Sequence, residues 1–185
     1  MLISNFAQKI FNEIKIAFPQ NHETKLFLQK LYKNKIKFIG NLKYIEKKNN
    51  NLNKLNYKLK LELKKKKLWI ASSTHPNEEM FCAKAHMELK KRYKKLLTII
   101  IPRHIHRTNE IIRGLKDLSL KVTTHSSNPK NLKDIDIYVV DTFGETEKFY
   151  KFSSSVFLGG SIIDRGGQNP LEAVRYGAKI LHGPN

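Results

Sequence analysis

The amino-acid sequence predicts an α/β fold built on a parallel β-sheet. From Lys67 onwards, short apolar runs alternate with helical stretches. Polar and glycine residues follow most of these runs, at the points where the strands of such a sheet end. Strand–helix alternation requires right-handed crossovers between parallel strands, and ligands of such sheets lie beyond the carboxyl ends of the strands. The functional residues are therefore expected just after the strands.

The first third of the chain is predicted to lie outside this sheet. Residues 1–34 are predicted to be mostly helical, and residues 35–44 to form a short strand followed by a turn at Gly40 and Asn41. The Lys- and Asn-rich residues 45–67 suit either a basic interaction arm or a linker with a surface helix. We favour the linker and helix because leucines recur at spacings of three and four along one helix face. These are Leu52, Leu55, Leu59 and Leu63.

The remainder of the chain is predicted to hold six strands with helices between them. The strands are expected at 68–73, 96–101, 120–124, 135–140, 155–159 and 178–183. The helices are expected at 77–95, 106–117, 145–152 and 170–177.

The composition indicates one globular core with a strong positive charge. The chain has 185 residues, 40% of them hydrophobic, and a formal net charge of +19. Such charge is typical of proteins that bind nucleic acid or anionic membranes, but lysine and asparagine are spread along the chain. We therefore favour the codon bias of an AT-rich genome as its source.

Three classes of protein are disfavoured by the same inspection: disulfide-bonded, secreted and membrane-spanning proteins. Cys82 is the single cysteine, so an internal disulfide is excluded, and its apolar neighbours predict a core residue rather than a nucleophile. Residues 1–20 lack the pattern of a signal peptide. No apolar run approaches the roughly 20 residues that a membrane-spanning helix needs.

The loop after the first strand of the sheet combines helix-capping residues with a histidine. Ser73 or Thr74 suits the cap of the following helix, and Glu78 and Glu79 favour its positive end. Capping does not require His75. This histidine is either a solvated loop residue or a functional one.

The loop after the second strand is basic. Arg103 is the predicted anion contact, because its planar guanidinium can form paired hydrogen bonds with a phosphate or a carboxylate. A basic surface loop is the alternative. A zinc site at His104 and His106 is disfavoured because no cysteine or carboxylate pattern completes a ligand set.

The glycines near the end of the chain predict a nucleotide site. Gly144 permits a turn whose backbone could contact a nucleobase, and glycine pairs at 159–160 and 166–167 precede a helix that starts near Asn169. Backbone N–H groups of such glycines can approach an anion, and the helix adds its dipole. Glu172 then suits ribose hydroxyls, although the motif differs from the dinucleotide fingerprint.

Five motifs in order carry a resemblance to a known family. They are "GNLKY" (40–44), "ASSTHPNEE" (71–79), "IIPRHIHR" (100–107), "VVDTFGE" (139–145) and "FLGGSIIDRGGQNPLEA" (157–173). Together they resemble the C-terminal, donor-binding domain of the bacterial 3-deoxy-D-manno-octulosonic acid (Kdo) transferases of lipopolysaccharide synthesis. Five motifs in order are a far more specific signal than any single glycine motif.

The resemblance implies a GT-B glycosyltransferase, in which two Rossmann-like domains face a cleft. Such an enzyme moves Kdo from CMP-Kdo to lipid IVA, the lipid A precursor, at the cytoplasmic face of the bacterial inner membrane. The resemblance implies no cofactor and no metal, and we expect no nucleic-acid partner.

The same resemblance assigns residues to CMP. These are Pro102, Arg103, Gly144, Glu145, Thr146, Asn169, Pro170, Leu171 and Glu172. Glu172 would hold ribose hydroxyls, while Arg103 and the amides near Asn169 would stabilise the negative charge that grows on the departing CMP. Further candidates around the donor are His75, Gly160, Ser161, Gly167 and Gln168.

Some positions depart from the usual family pattern. Thr146 stands where an apolar residue is usual, Asn77 where glycine is usual and Gln168 where histidine is common. These departures concern local geometry rather than the resemblance as a whole.

The resemblance also predicts a domain layout. We expect a remnant of the N-terminal acceptor domain at 1–43, a linker and surface helix at 44–66, and a C-terminally truncated donor-binding domain at 67–185. The membrane anchor and the general base of the family are expected in an N-terminal part that the chain lacks. The chain is therefore expected to bind CMP or CMP-Kdo without transferring Kdo alone.

Three alternatives make different predictions. Another GT-B transferase or a sugar-nucleotide epimerase would accept a uridine or guanosine diphosphate rather than CMP. A basic nucleic-acid-binding module would explain the charge but not the order of the motifs, and its affinity would fall steeply with salt. A peripheral membrane-surface protein is compatible with the transferase, because lysines are attracted to anionic lipid.

Overall fold

The computed structural model describes residues 2–31, 35–42 and 55–185 of the chain. It divides into two compact units, Met1–Lys48 and Asn49–Asn185. The division falls within the segment that the sequence predicts as a linker. Leu52 and much of that segment lie outside the described residues.

The first unit consists of two helices and a short pair of parallel strands. Helix α1 spans Leu2–Asn12 and α2 spans His22–Leu31, as the helical pattern predicts. Strand β1 (Ile16–Ala17), which the sequence did not predict, pairs in parallel with β2 (Lys35–Ile36). The large apolar side chains of this unit are largely exposed, as at Phe6 and Phe27.

The second unit is built on a six-stranded parallel sheet. Its strands are β3 (Lys67–Thr74), β4 (Leu96–Pro102), β5 (Val122–Thr124), β6 (Ile137–Val139), β7 (Ser155–Leu158) and β8 (Lys179–Leu181). They pair in the order β5-β6-β4-β3-β7-β8. The predicted α/β fold with a Rossmann-like parallel sheet is confirmed.

Helices cover both faces of this sheet. They are α3 (Tyr57–Lys64), α4 (Glu78–Arg92), α5 (Thr108–Asp117), α6 (Thr146–Tyr150) and α7 (Leu171–Arg175), with a 3-10 turn at Ile105–Arg107 before α5. The core residues of α4 and α5 pack on one face of the sheet, and those of α3, α6 and α7 pack on the other.

The central strands are apolar throughout because both of their faces are buried. Successive side chains of a strand point to opposite faces, so Ile100 packs towards α4 and α5 while Ile99 and Ile101 pack towards the other helices. Every residue of β4 is buried. Cys82 also lies in this core, where burial raises the pKa of its thiol.

Helix α3 packs within the second unit. Asn56 caps it by accepting a hydrogen bond from the Lys58 backbone N–H (2.9 Å). Leu55, Leu59 and Leu63 are buried in the core beneath the sheet. The leucine spacing therefore marks a packed helix face.

Two residues near the end of β3 adopt left-handed backbone conformations. Ser73 has φ of 55° and interrupts the regular pairing with β4. Asn77, at the position where the resemblance leads us to expect glycine, has φ of 76° at the start of α4. Glycine and asparagine are the residues that tolerate this region best, so the departure preserves the turn.

None of the described helices is long and apolar enough to cross a membrane.

Candidate functional site

A cleft of about 430 Å³ opens beyond the carboxyl ends of the strands; we call it the strand-end cleft. It lies among the ends of β3, β4, β6 and β7 and the start of α7. Its lining residues are Ser73, Ile101, Pro102, Arg103, Ile105, Val140, Thr142, Phe143, Gly144, Thr146, Glu147, Tyr150, Leu158, Gln168, Asn169 and Glu172.

The order of the strands explains the position of this cleft. Strand β3 lies between β4 and β7. The chain leaves β3 towards β4, whereas it leaves β7 towards β8 on the other side. Connections that diverge in this way leave a crevice at the carboxyl edge of the sheet, which is the usual ligand position of such folds.

Arg103 supplies the positive charge at the cleft. Its backbone N–H donates a hydrogen bond to the carbonyl of Thr74 (2.9 Å), which fixes the start of the loop after β4. Its side chain is exposed, and it forms no ion pair with any residue that the structure describes. The guanidinium is therefore available to an anion.

Two carboxylates face the same cleft. Glu147 in α6 accepts a hydrogen bond from the hydroxyl of Tyr176 (3.3 Å), and Glu172 lies in the first turn of α7. One guanidinium and two carboxylates together suit a ligand that carries both an anion and hydroxyl groups. A simple anion would meet repulsion from the carboxylates.

The turn after β6 presents its backbone and an aromatic ring. Gly144 has φ of 75°, and a Cβ atom there would meet nothing within 4 Å. Phe143 is 91% exposed at the cleft edge, while the hydroxyl of Thr142 is buried without a partner among the described residues. A planar base could stack on this ring and form hydrogen bonds with the turn.

Glu145 turns away from the cleft, unlike its neighbours Gly144 and Thr146. Its carboxylate pairs with Lys148 Nζ at 2.7 Å and lies 3.5 Å from Nε2 of His125. Burial lowers the pKa of His125 although Glu145 and Asp141 favour its charged form. The side chain of Glu145 therefore shapes the turn from behind, and its contact with CMP stays a prediction.

The start of α7 is capped by its own sequence. The side-chain oxygen of Asn169 accepts a hydrogen bond from the Leu171 backbone N–H (3.1 Å). Asn169 and Glu172 line the cleft, whereas Pro170 and Leu171 support the turn without lining it. Of the nine positions assigned to CMP, the structure brings six to the cleft wall: Pro102, Arg103, Gly144, Thr146, Asn169 and Glu172.

The first glycine pair holds a carboxylate of the chain itself. The backbone N–H groups of Gly160, Ser161 and Ile162 donate hydrogen bonds to the carboxylate of Glu78, at 2.8, 3.2 and 3.1 Å. A fourth bond comes from the His75 N–H (2.9 Å). The interpretation that these particular amides face a bound phosphate is therefore corrected, because Glu78 occupies them.

Close packing explains why Gly159 and Gly160 differ. A Cβ atom on Gly159 would lie only 2.2 Å from the carbonyl oxygen of Ser73, so the loop must approach β3 without a side chain. Gly160 has φ of 73°. Gly167 continues the loop by donating to the carbonyl of Gly160 (2.9 Å), and of this loop only Gln168 and Asn169 reach the cleft.

Glu78 and Glu79 were missed as structural anchors by sequence reasoning. Both are about 1% exposed. Glu79 accepts hydrogen bonds from the hydroxyl of Thr74 (2.9 Å) and from Arg107 (2.8 Å). Their position in the first helical turn is equally compatible with exposed carboxylates near a helix dipole, so the burial could not be inferred from the pattern.

A larger cavity of about 620 Å³ shares no lining residue with the strand-end cleft. Its walls are mostly apolar and include Trp69, Phe81 and Phe157 on the α4 side of the sheet. Chemistry on a charged donor needs polar groups, so the strand-end cleft is the better candidate site. Among the described residues, no group of three or more His, Cys, Asp or Glu could hold a metal ion.

Comparisons with known proteins show what the chain is similar to. It is 32% identical over 152 residues to a 3-deoxy-D-manno-octulosonic acid transferase of Haemophilus influenzae, covering 82% of this chain and 36% of that protein. It is 36% identical over 148 residues to the transferase of Rickettsia conorii, covering 80% of this chain and 32% of that protein. The chain thus spans about a third of the length of these curated relatives.

A solved structure shows the same relationship. The C-terminal CMP-Kdo binding domain of WaaA from Acinetobacter baumannii matches with a TM-score of 0.64 and 28% identity. The match covers 68% of this chain and 66% of that one. No protein-family model matches the chain.

Proposed function

We propose that this chain, a relative of the Kdo transferases over four-fifths of its length, binds CMP-Kdo in the strand-end cleft. The observation that carries the proposal is the composition of the cleft wall at the sheet crevice. It combines a guanidinium at Arg103 that has no ion-pair partner among the described residues, a carboxylate in the first turn of α7 and an open backbone turn at Gly144. A nucleoside monophosphate has a phosphate, a ribose with hydroxyl groups and a planar base, and these three parts match the three features of the wall.

Each part of the nucleotide has a suitable partner. Arg103 suits the phosphate, because a planar guanidinium forms two parallel charge-assisted hydrogen bonds. Glu172 suits the ribose, because a carboxylate accepts from hydroxyl groups and would repel a phosphate. The turn from Thr142 to Gly144 suits the base through stacking on Phe143 and hydrogen bonds to the backbone.

The same assignment gives the cleft a role in the transfer reaction. The acceptor hydroxyl gives its proton to a general base, its oxygen bonds to the anomeric carbon of Kdo, the bond from that carbon to the phosphate oxygen breaks, and CMP departs. Negative charge then grows on the phosphate. Arg103 would stabilise this charge in place, which is the kind of electrostatic help that lowers a transition-state barrier.

The acceptor and the membrane belong to the proposal as well. We propose lipid IVA as the acceptor and the cytoplasmic face of the inner membrane as the place of reaction. The net charge of +19 supports attraction to an anionic surface, at about 1 kcal/mol for each lysine near the lipid. The chain alone is expected to bind the donor without producing Kdo-lipid IVA, and formation of that product by this chain alone would contradict the expectation.

Calorimetric titration with CMP, and with UDP for comparison, tests the donor site. We expect CMP to bind more tightly than UDP, and the Arg103→Ala and Glu172→Ala variants each to weaken CMP by about tenfold. Arg92→Ala and Glu88→Ala are matched controls, because both remove exposed charges of α4 away from the cleft. These controls should bind CMP as the unmodified chain does.

Binding of CMP and UDP with equal affinity would contradict the proposal. If that affinity also fell steeply with salt, the positive charge of the whole chain would explain it, as the nucleic-acid alternative predicts. A preference for UDP would favour a different nucleotide-sugar enzyme.

A further inference from the structure

We propose that a cluster of basic and amide side chains beside the strand-end cleft binds the carboxylate of the donor sugar. The cluster consists of His75, Arg165 and Gln168, and we call it the carboxylate subsite. This inference rests on the proposed function and adds a second anion site to it, distinct from the phosphate contact at Arg103.

Atoms of the three residues surround Gly160, and the neighbouring atom of Arg165 is its Cβ. A Cβ atom built on Gly160 would lie 3.4 Å from Cδ2 of His75, 3.5 Å from Cβ of Arg165 and 3.5 Å from Nε2 of Gln168. A side chain at this position would therefore fill the space between them. Gln168 also lines the strand-end cleft, so the subsite and the cleft adjoin.

His75 has an unused hydrogen-bonding atom in this space. Its backbone is fixed by the bond to Glu78, but Nε2 of its ring is buried and has no partner among the described residues. Buried polar atoms in native proteins almost always have partners, because an unpaired one loses its bonds to water. A ligand group at the subsite would supply the missing partner.

The electrostatic environment favours an anion. Burial is the main cause that lowers the pKa of His75, and the nearby charges of His104, Arg165 and Arg103 lower it further. The ring is therefore neutral near pH 7 and can donate through an Nε2–H group. Arg165 forms no ion pair with any described residue.

One carboxylate of the chain disfavours an anion at the subsite. Glu78 lies beneath His75 and favours its charged form. It is nevertheless engaged by four backbone N–H groups, which offset much of its negative charge. The guanidinium of Arg165 therefore remains available to a second anion.

The chemistry of the donor places an anion beside the phosphate. In a 2-keto sugar acid, the anomeric carbon that carries the phosphate also carries the carboxylate. A CMP-activated sugar of this class thus presents two anionic groups that share one carbon atom. Arg103 suits the first, and the adjoining carboxylate subsite suits the second.

The loop that carries the subsite turns through two glycines with left-handed backbone conformations. Gly166 and Gly167 both have positive φ values, of 72° and 69°, and a Cβ atom on Gly166 would meet nothing within 4 Å. Arg165 and Gln168 flank these glycines on long side chains.

The test compares the affinities of freshly prepared CMP-Kdo and CMP for the same chain. We expect CMP-Kdo to bind about tenfold more tightly, because it adds charge-assisted hydrogen bonds at the subsite. In His75→Ala and Arg165→Gln, CMP-Kdo should fall to the affinity of CMP, whereas CMP itself should change less than twofold. Arg92→Ala is the matched control and should leave both affinities unchanged.

A spectroscopic measurement separates direct contact from a structural effect. The imidazole NMR signals of His75 should shift when CMP-Kdo is added, but not when CMP is added. A shift with CMP-Kdo and no shift with CMP are expected together if the imidazole ring contacts the sugar acid directly.

Two results would overturn the inference, and they differ from each other. If CMP binds while both variants keep the full preference for CMP-Kdo, the subsite is wrong and the proposed nucleotide site stands. If the unmodified chain binds neither CMP nor CMP-Kdo, the proposed function fails and the subsite fails with it.

Discussion

Two halves of one glycine-rich segment have opposite roles. In residues 160–162, the backbone N–H groups donate to the buried carboxylate of Glu78. In residues 166–172, the chain turns towards the open cleft, where Gln168, Asn169 and Glu172 line the wall. A glycine-rich loop between a strand and a helix therefore indicates that an anion is bound, but not whether the anion is a ligand or part of the protein.

The difference has an energetic meaning. The bonds of Glu78 join the end of β3 to the loop after β7, so they contribute to folding in the absence of any ligand. Arg103 faces solvent at the cleft and contributes only when a ligand is present. Variants of the first half should thus alter stability, and variants of the cleft should alter binding.

The largest effect is expected for Glu78→Ala. The change leaves four backbone N–H groups without their acceptor in a buried place, and it removes a link between the loops that follow β3 and β7. We expect the free energy of unfolding to fall by about 3–5 kcal/mol in urea denaturation. Glu88→Ala removes an exposed carboxylate of the same helix and should cost less than about 0.5 kcal/mol.

Similar stability in these two variants would break the comparison. It would mean that water replaces the carboxylate at no cost, and that the amides of Gly160 and Ser161 can serve a ligand. An added phosphate that restored the stability of Glu78→Ala would lead to the same conclusion.

A second contrast uses the glycines of the two halves. A Cβ atom on Gly159 would lie 2.2 Å from the carbonyl oxygen of Ser73, so Gly159→Ala should cost roughly 3 kcal/mol through forced backbone movement. Gly166→Ala meets open space and only the strain of its positive φ, so it should cost about 1 kcal/mol. Thermal unfolding of both variants measures the contrast, and a larger loss for Gly166→Ala would contradict it.

The cleft should show the reverse pattern. Arg103→Ala should change the free energy of unfolding by less than about 0.5 kcal/mol, because its side chain is exposed and unpaired among the described residues. The same variant should weaken CMP by about tenfold. A variant that lost stability and affinity together would show that the cleft also supports the fold.

Much of the fold could be predicted because its signals are local. The apolar run at 96–101 is nearly the observed β4, and the spacing of Leu55, Leu59 and Leu63 matches the buried face of α3. Strand β1 was missed because two residues carry no periodicity. Strands β5 and β6 are shorter than predicted. Just before the two strands begin, the backbone N–H of Lys121 donates a hydrogen bond to the side chain of Asp136, and such a side-chain contact cannot be inferred from the apolar pattern.

The candidate site was less predictable because it depends on direction. Chain order correctly grouped Pro102, Arg103, Gly144, Asn169 and Glu172 at one edge of the sheet. It could not show that Glu145 faces Lys148, or that Glu78 reaches across to Gly160, because those contacts depend on side-chain direction and distant packing. The spacing of residues along the chain predicts which strand end a residue follows, whereas the partner of its side chain depends on the tertiary structure.

The smallest predicted effect is the pH dependence of stability that His86 causes. The polar groups near this histidine belong to the folded chain itself. His86 is fully buried, its Nδ1 lies 2.8 Å from the hydroxyl of Thr98, and its Nε2 lies 3.6 Å from Asp136. Burial is the main cause that lowers the pKa of His86, although Asp136 raises it and Lys90 lowers it further. His75 has a lowered pKa as well, and Nε2 of both rings is buried without a hydrogen-bond partner among the described residues.

The sign of the pH effect follows from these directions. The unfolded chain takes up protons at the ordinary histidine pKa, whereas the folded chain keeps His86 neutral to lower pH. The unfolded state therefore binds more protons below about pH 6.5, and stability should fall with acidification through that range. His86→Gln should flatten this fall in urea midpoints measured between about pH 7 and 5, while His22→Gln, at an exposed site in the first unit, should not. Added CMP-Kdo should separate the behaviour of His75 from that of His86, because a bound carboxylate would raise the pKa of His75 and leave that of His86 unchanged.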